Sequence, residues 1–201
     1  MALAEAAGVR VAPFRLRQVS GRPVFTARRF DRRQGGRIPF ISALTAIEGS
    51  DGELRSYLEI AEFLRREGIE VREELRQLWR RIVFNMLVSN TDDHLRNHGF
   101  LREPDGWRLS PAYDLNPVPV DVKPRVHALA IDETDGTASL DRALEVAPIF
   151  GMTGPEARTT AAEVGRAVQG WRETAARLGI APNQVDRMSS AFDHDDLRAT
   201  A

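Results

Sequence analysis

The sequence predicts an α+β fold, mainly helical, on three observations. Apolar residues recur with helical spacing through 53–67, 70–89 and 153–178, which makes helices the dominant element. Short alternating stretches flank the turn signals Ser20-Gly21-Arg22-Pro23 and Pro104-Asp105-Gly106, as they do in hairpins. With 201 residues, 42% of them hydrophobic and 28% charged, the chain is long enough for one domain with a real core, or one plus a small lobe.

Taken in order, residues 2–7 read as the tail of a helix closed by Gly8. Residues 9–19 and 23–30 alternate like strands on either side of the first turn signal, and 31–39 reads as a loop. The segment 53–67 is an amphipathic helix closed by Gly68. The clearest element is 70–89, where Val71, Leu75, Leu78, Trp79, Ile82, Val83, Met86 and Leu87 follow the i, i+4, i+7, i+8 pattern. Its last turns, IVFNMLV, are apolar nearly all round, so this end belongs deep in the core. Residues 99–111 form the second hairpin, and 126–132 a further short strand. Thr153 with Glu156 and Pro155 is a capping-box start, and the helix beyond carries Ala157, Ala161, Val164, Val168, Trp171, Ala175 and Leu178 on one stripe. Trp79 and Trp171 are thus expected in the core and Trp107 beneath the loop that follows residue 89. The polar tail 183–201 is expected to fray.

Composition narrows the function classes. Formal net charge is −1, so the overall field gives no argument for nucleic acid or an anionic membrane. The arginine-rich stretch 28–37 around Phe30 could touch nucleic acid, but in an arginine-biased chain it reads first as a solvated loop. No window approaches the 18 or so apolar residues of a membrane span. The N-terminus has no basic segment ahead of an apolar one. The absence of cysteine excludes disulfides, thiolate nucleophiles and Cys-type zinc sites, and it fits a cytoplasmic protein. Of the 28 Lys and Arg residues only Lys123 is a lysine, so a mechanism that needs a lysine can use no other.

The chemistry concentrates in NMLVSNTDDHLRNHGFL, residues 85–101, where the apolar helix ends abruptly in amides, carboxylates and imidazoles. Asn90, Asp92, Asp93, Asn97 and Asp114 lie within 25 residues. Hard oxygen donors of this kind suit Mg²⁺, which takes one or two carboxylates and leaves positions for phosphate oxygens. Asp92 and Asn97 have the D-x-x-x-x-N spacing of a kinase catalytic loop, in which the Asp accepts the substrate hydroxyl proton and the Asn holds a metal ion. A hairpin then separates Asn97 from Asp114, a second candidate metal ligand. Two alternatives stand beside this. Asp92 and Asn97 could simply cap the flanking helices. His94 and His98, four apart, could bind a transition metal with Asp92 or Asp93 as third ligand, as in a metal-dependent hydrolase.

The stretches NTDDHLRNHGFL and WRLSPAYDLNPVP together resemble the catalytic core of HipA-type serine/threonine kinases, the toxins of bacterial toxin–antitoxin systems. GRPVFTARRFDR is similar to the family's hinge region and SLDRALEVAPIFG to a later helical segment, so the resemblance covers most of residues 5–175. It implies a protein-kinase-like C-terminal lobe using ATP and Mg²⁺, with Asp92 as catalytic base and Asn97 and Asp114 as Mg²⁺ ligands. It further implies that His94, Leu95, Arg96, Asn97 and Tyr113 lie near the phosphates. Arg28, Arg29 and Phe30 would form the hinge that holds the adenine, with Asp31 near the ribose. Partners implied are a DNA-binding, HipB-like antitoxin and a substrate such as an aminoacyl-tRNA synthetase, with nucleic acid engaged only indirectly.

The chain departs from that pattern upstream of the hinge. Family members are roughly twice as long, and kinases cover the phosphates with a loop and hold them with a strand lysine. Only 27 residues precede Arg28, without a Gly-rich loop, and Lys123 follows Asp114. Arg28 also stands where the family commonly has an acidic residue. The expected organisation is therefore a remnant of the N-terminal lobe and hinge over 1–31, a kinase-like C-terminal lobe over 32–182 and the tail. Without those clamps the chain alone is expected to transfer phosphate weakly or not at all, either as half of a split kinase completed by another chain or as a non-catalytic remnant that still engages its partners.

Overall fold

The computed structural model describes residues 1–50, 52–132 and 136–200. Helix α1 (Ala2–Ala6) ends in Gly8, which takes a left-handed φ of 72° as the sequence predicts. Strands β1 (Phe14–Val19) and β2 (Arg22–Ala27) pair antiparallel around Ser20 and Gly21, a two-stranded ribbon with no third strand. The expected loop 31–39 holds a very short hairpin, β3 (Arg32–Arg33) with β4 (Gly36–Arg37). Strand β5 (Phe40–Ser42) and a single turn, α2 (Ala43–Ala46), follow.

The next helix begins later than its apolar periodicity suggests. Arg55–Ser56 is a strand, β6, and α3 spans Tyr57–Glu67. Glu59 accepts a hydrogen bond from the Ser56 N–H at 3.1 Å, so the S-x-x-E signal sets the start. Helix α4 (Val71–Leu87) is the centre of the molecule, and from Arg81 to Leu87 every side chain is buried. Strands β7 (Gly99–Glu103) and β8 (Gly106–Leu109) make the expected hairpin and extend β5 into a three-stranded antiparallel sheet. The strand expected over 126–132 shrinks to β9 (Leu129–Ala130), parallel to β6. Helices α5 (Leu140–Val146) and α6 (Gly154–Gln169) pack on α4, and the Trp79 indole donates to the Ala143 carbonyl at 2.9 Å.

Three further expectations are corrected. Gly170 divides the last long helix, so α7 (Trp171–Arg177) is separate and Trp171 is only half-buried. Trp107 packs on Phe63 and under Arg102, away from the loop after residue 89. The tail docks instead of fraying, through α8 (Pro182–Arg187), a turn at Ser189–Ala191 and α9 (Asp195–Arg198). Its few apolar residues do this. Phe192 stacks on Trp171 at 4.4 Å, Ala191 and Leu197 join the core, and Ser89 Oγ donates to the Ala191 carbonyl at 2.7 Å. The N-terminal segment is built in as well, with Ala4, Ala7 and Val9 in the same core and the Ala112 N–H bound to the Arg10 carbonyl. No helix among the described residues is long and apolar enough to cross a membrane.

Candidate active site

Helix α4 stops because Ser89 turns left-handed at φ 54°, and the Asn90 N–H closes the end on the Asn85 carbonyl. The loop beyond is fastened from beneath by one carboxylate. Asp93 Oδ2 accepts from Tyr57 Oη at 2.5 Å and Asn85 Nδ2 at 2.8 Å, and lies 2.8 Å from His98 Nε2. All four residues are buried, and the Asn90 amide extends the network to Asn85 Oδ1. A buried carboxylate persists only when its partners are this complete. Burial opposes its charge, but the His98 ring and the hydrogen bonds from His98 and Tyr57 outweigh burial and hold the Asp93 carboxyl below its usual range. Burial, then the Asp93 charge, push the Tyr57 hydroxyl far above its ordinary value.

Pinning Asp93 inward turns its neighbour out. The Asp92 side chain is 75% exposed, with Lys123 Nζ 3.7 Å from Oδ1. Five residues on, the Asn97 amide bridges two segments. Its Oδ1 accepts from the His94 N–H at 3.2 Å, and its Nδ2 donates to Asp114 Oδ2 at 2.6 Å. The capping role weighed for Asn97 is thus real, and it coexists with the contact to Asp114. Asp114 Oδ1 accepts from Asn116 Nδ2 at 2.5 Å, and the backbone of Asp114 is left-handed at φ 58°. Asp114 thus offers carboxylate oxygens of the kind that suit Mg²⁺, while Asn97 turns its amide nitrogen to Asp114 and its oxygen to the His94 N–H.

Asp114 and Tyr113 lie on the wall of a cavity of about 970 Å³ that also takes in Arg28, Arg29, Phe30 and Asp31. Phe14, Leu16 and Phe25 from one face of the β1–β2 ribbon roof it. Phe30 stacks on Tyr113 at 5.8 Å and meets Phe40 at 5.7 Å. Gly99, opposite, has no Cβ to collide with the Phe40 ring. Tyr113 Oη donates to the Arg96 carbonyl at 2.7 Å, and burial raises its hydroxyl to about 12. Tyr113 therefore stands on the wall of the cleft, outside the core. Asp31 is gripped by Arg29 at 2.9 and 2.7 Å and by Arg32 at 2.7 Å, with Arg29 the main cause of its lowered carboxyl pKa.

The expected residues therefore divide. Residues 28–31, Tyr113 and Asp114 share the large cavity, and Asn97 joins it through Asp114. His94, Leu95 and Arg96 border a different cavity of about 160 Å³, together with Ser50, Glu53 and Arg55. The histidine metal site is not assembled. His98 is buried on Asp93 while His94 is exposed, and among the described residues no three His, Asp or Glu side chains cluster around a common point. Sequence reasoning missed Tyr57, Asn85 and Lys123. For Lys123 the signal was present in its being the sole lysine; for Tyr57, 36 residues from Asp93, there was none.

A buried helix running into a polar loop, a hairpin and then an acidic turn defines the C-terminal lobe of a kinase-like fold. The chain belongs to the HipA family, since the family model for the HipA-like C-terminal domain matches residues 1–181. A curated relative, the putative kinase Y4mE of Sinorhizobium fredii strain NGR234, is 31% identical over 128 residues, covering 57% of this chain and 30% of the relative. Among solved structures, HipA of Shewanella oneidensis MR-1, in a complex with HipB and operator DNA, superposes with a TM-score of 0.72 at 20% identity. That match covers 100% of this chain and 53% of the HipA chain. The proinflammatory kinase CtkA of Helicobacter pylori superposes at 0.56 with 12% identity, over 99% of this chain and 85% of CtkA. The chain thus spans about half of the solved HipA and under a third of Y4mE.

Proposed function

We propose that this chain is the nucleotide- and metal-binding lobe of a HipA-type serine/threonine kinase, with Asp92 as base and Asn97 and Asp114 as Mg²⁺ ligands. The observation that carries this reading is the Asn97–Asp114 pair, 2.6 Å apart, with Asp114 on the wall of a cavity of about 970 Å³ shared with residues 28–31. The flat faces of Phe30 and Tyr113 suit a purine, and the carboxylate of Asp31, held by two arginines on the same wall, suits a ribose hydroxyl. Bound Mg²⁺ would neutralise phosphate charge at Asn97 and Asp114. Exposed Asp92 can take the proton of an incoming Ser or Thr hydroxyl.

The Shewanella complex supports a HipB-like antitoxin as partner, with DNA contacted through it. The family resemblance supports a translation factor such as an aminoacyl-tRNA synthetase as substrate. A second reading is a binding module without catalysis that still engages an antitoxin or a protein substrate.

Titration with Mg·ATP separates the two. Asp114→Asn is the right variant, because Asn tolerates the left-handed backbone that Ala would strain. The kinase reading expects wild type to bind and Asp114→Asn to lose about tenfold in affinity, the scale of one charge-assisted contact. No binding by either protein would leave the binding-module reading.

A further inference from the structure

Asp92 is exposed on its loop, and the cation beside it does not come from that loop. It is Lys123, from the segment after Asp114. The Nζ atom lies 3.7 Å from Asp92 Oδ1 and donates to the Thr91 carbonyl at 3.2 Å. The backbone brings it there. The Val118 N–H bonds to the Ser89 carbonyl, which ties this segment to the end of α4. The N–H groups of Val122 and Lys123 then close a turn on the Pro119 carbonyl. Arg125, the next base along, is occupied elsewhere, on Asp196 and the Met86 carbonyl.

The residue type adds to the argument. Every other strong base in this chain is arginine, so arginine would be the default here as well. A lysine ammonium differs as a compact point charge with three rotatable donors, able to move between neighbouring oxygens. An isolated surface ion pair contributes little stability, so the pairing of Lys123 with Asp92 is poorly explained as a structural strut. Lys123 is also 44% exposed, so its ammonium is open to a second anion.

We propose that Lys123 is a positioning residue for phosphoryl transfer: its ammonium orients Asp92 and faces the terminal phosphate of the bound nucleotide. This rests on the kinase reading above. It assigns a phosphate-facing cation to the segment after Asp114.

The molecule holds two primary amines, Lys123 Nζ and the Met1 α-amine, and Met1 is itself one of the residues lining the large cavity. An ATP analogue with an acyl group on its terminal phosphate therefore reports which amine meets the phosphates. The neutral amine attacks the acyl carbonyl, an amide forms, the C–O bond to phosphate breaks, and ATP leaves as the proton passes to solvent. Mass spectrometry of the full chain is expected to find the acyl group on Lys123. Mg·ATP in tenfold excess over the reagent should cut that labelling about tenfold, as simple competition for one site requires, and at reagent concentrations below saturation Asp114→Asn should lower it by a similar factor. A merely structural lysine would label without regard to ATP. If Mg·ATP titration shows binding that Asp114→Asn weakens, yet labelling falls on Met1 or on Lys123 without competition, the placement of Lys123 is overturned and the kinase reading survives. If titration shows no nucleotide binding at all, the kinase reading fails and this inference with it.

Discussion

Asp93 carries more of the local architecture than its neighbour Asp92. Three side chains converge on one of its oxygens, from α3, from α4 and from beyond the loop. Asp93→Asn is expected to destabilise the fold by roughly 3 kcal/mol, the cost of breaking a buried charged network, and Tyr57→Phe by about 1 kcal/mol, that of one hydrogen bond. Urea unfolding curves of the two variants measure both. His127 lies beside the same network, and burial drives its imidazole down to about 4, with Asp93 opposing. Unfolded, it titrates near the ordinary imidazole value of 6.5, so between these values only the unfolded chain binds the proton. Its contribution to stability is therefore complete above pH 6.5 and falls away as pH drops toward 4, by on the order of 3 kcal/mol. His127→Gln should flatten that acid limb, and urea midpoints at pH 7.5 and 5 will show whether it does.

Among the elements, α4 was legible to within two residues, because an apolar stripe that becomes apolar all round admits little else. The hairpin of β7 and β8 was equally clear from its Pro-Asp-Gly turn. The tail was misread for a physical reason. Its average polarity hides Ala191, Phe192 and Leu197, whose places in the core depend on α4 and α7 and leave no local periodicity. The site shows the same split. D-x-x-x-x-N spacing and a downstream Asp exposed Asp92, Asn97 and Asp114, while contacts of long separation, Tyr57 to Asp93 and Lys123 to Asp92, carried no pattern. Phe192→Ala should cost about 3 kcal/mol by removing the ring stacked on Trp171. It should also shift indole fluorescence, which scanning thermal melts record together with the lower Tm. His194 links tail and core, with Nε2 on the Leu87 carbonyl and Nδ1 accepting from the Leu197 N–H. Burial lowers its pKa, so acid that protonates it breaks the cap on α9.

As a whole the molecule is welded where a remnant of another lobe would be expected to hang loose. Arg10 reaches buried Glu74 at 3.1 Å, and Ala4, Ala7 and Val9 share the core of α4 and α6. Fluorescence and far-ultraviolet circular dichroism should accordingly report one coincident urea transition, and two separated transitions would show that the first 31 residues unfold on their own. Arg10→Ala should destabilise markedly, since it removes a partner of a fully buried carboxylate.

The β1–β2 ribbon has a different consequence. It roofs the large cavity with Phe14, Leu16 and Phe25, while Arg15, Arg17 and Arg22 stand exposed on its strands. Two strands without a third are marginal by themselves, so the roof opens far more readily than the floor. Arg15 and Arg17 are cleavage points for trypsin, whereas Pro23 shields the bond after Arg22. The cavity therefore carries its own occupancy gauge, because a guest pressed between roof and floor would slow nicking after Arg15 and Arg17 and leave the rest of the digestion pattern unchanged.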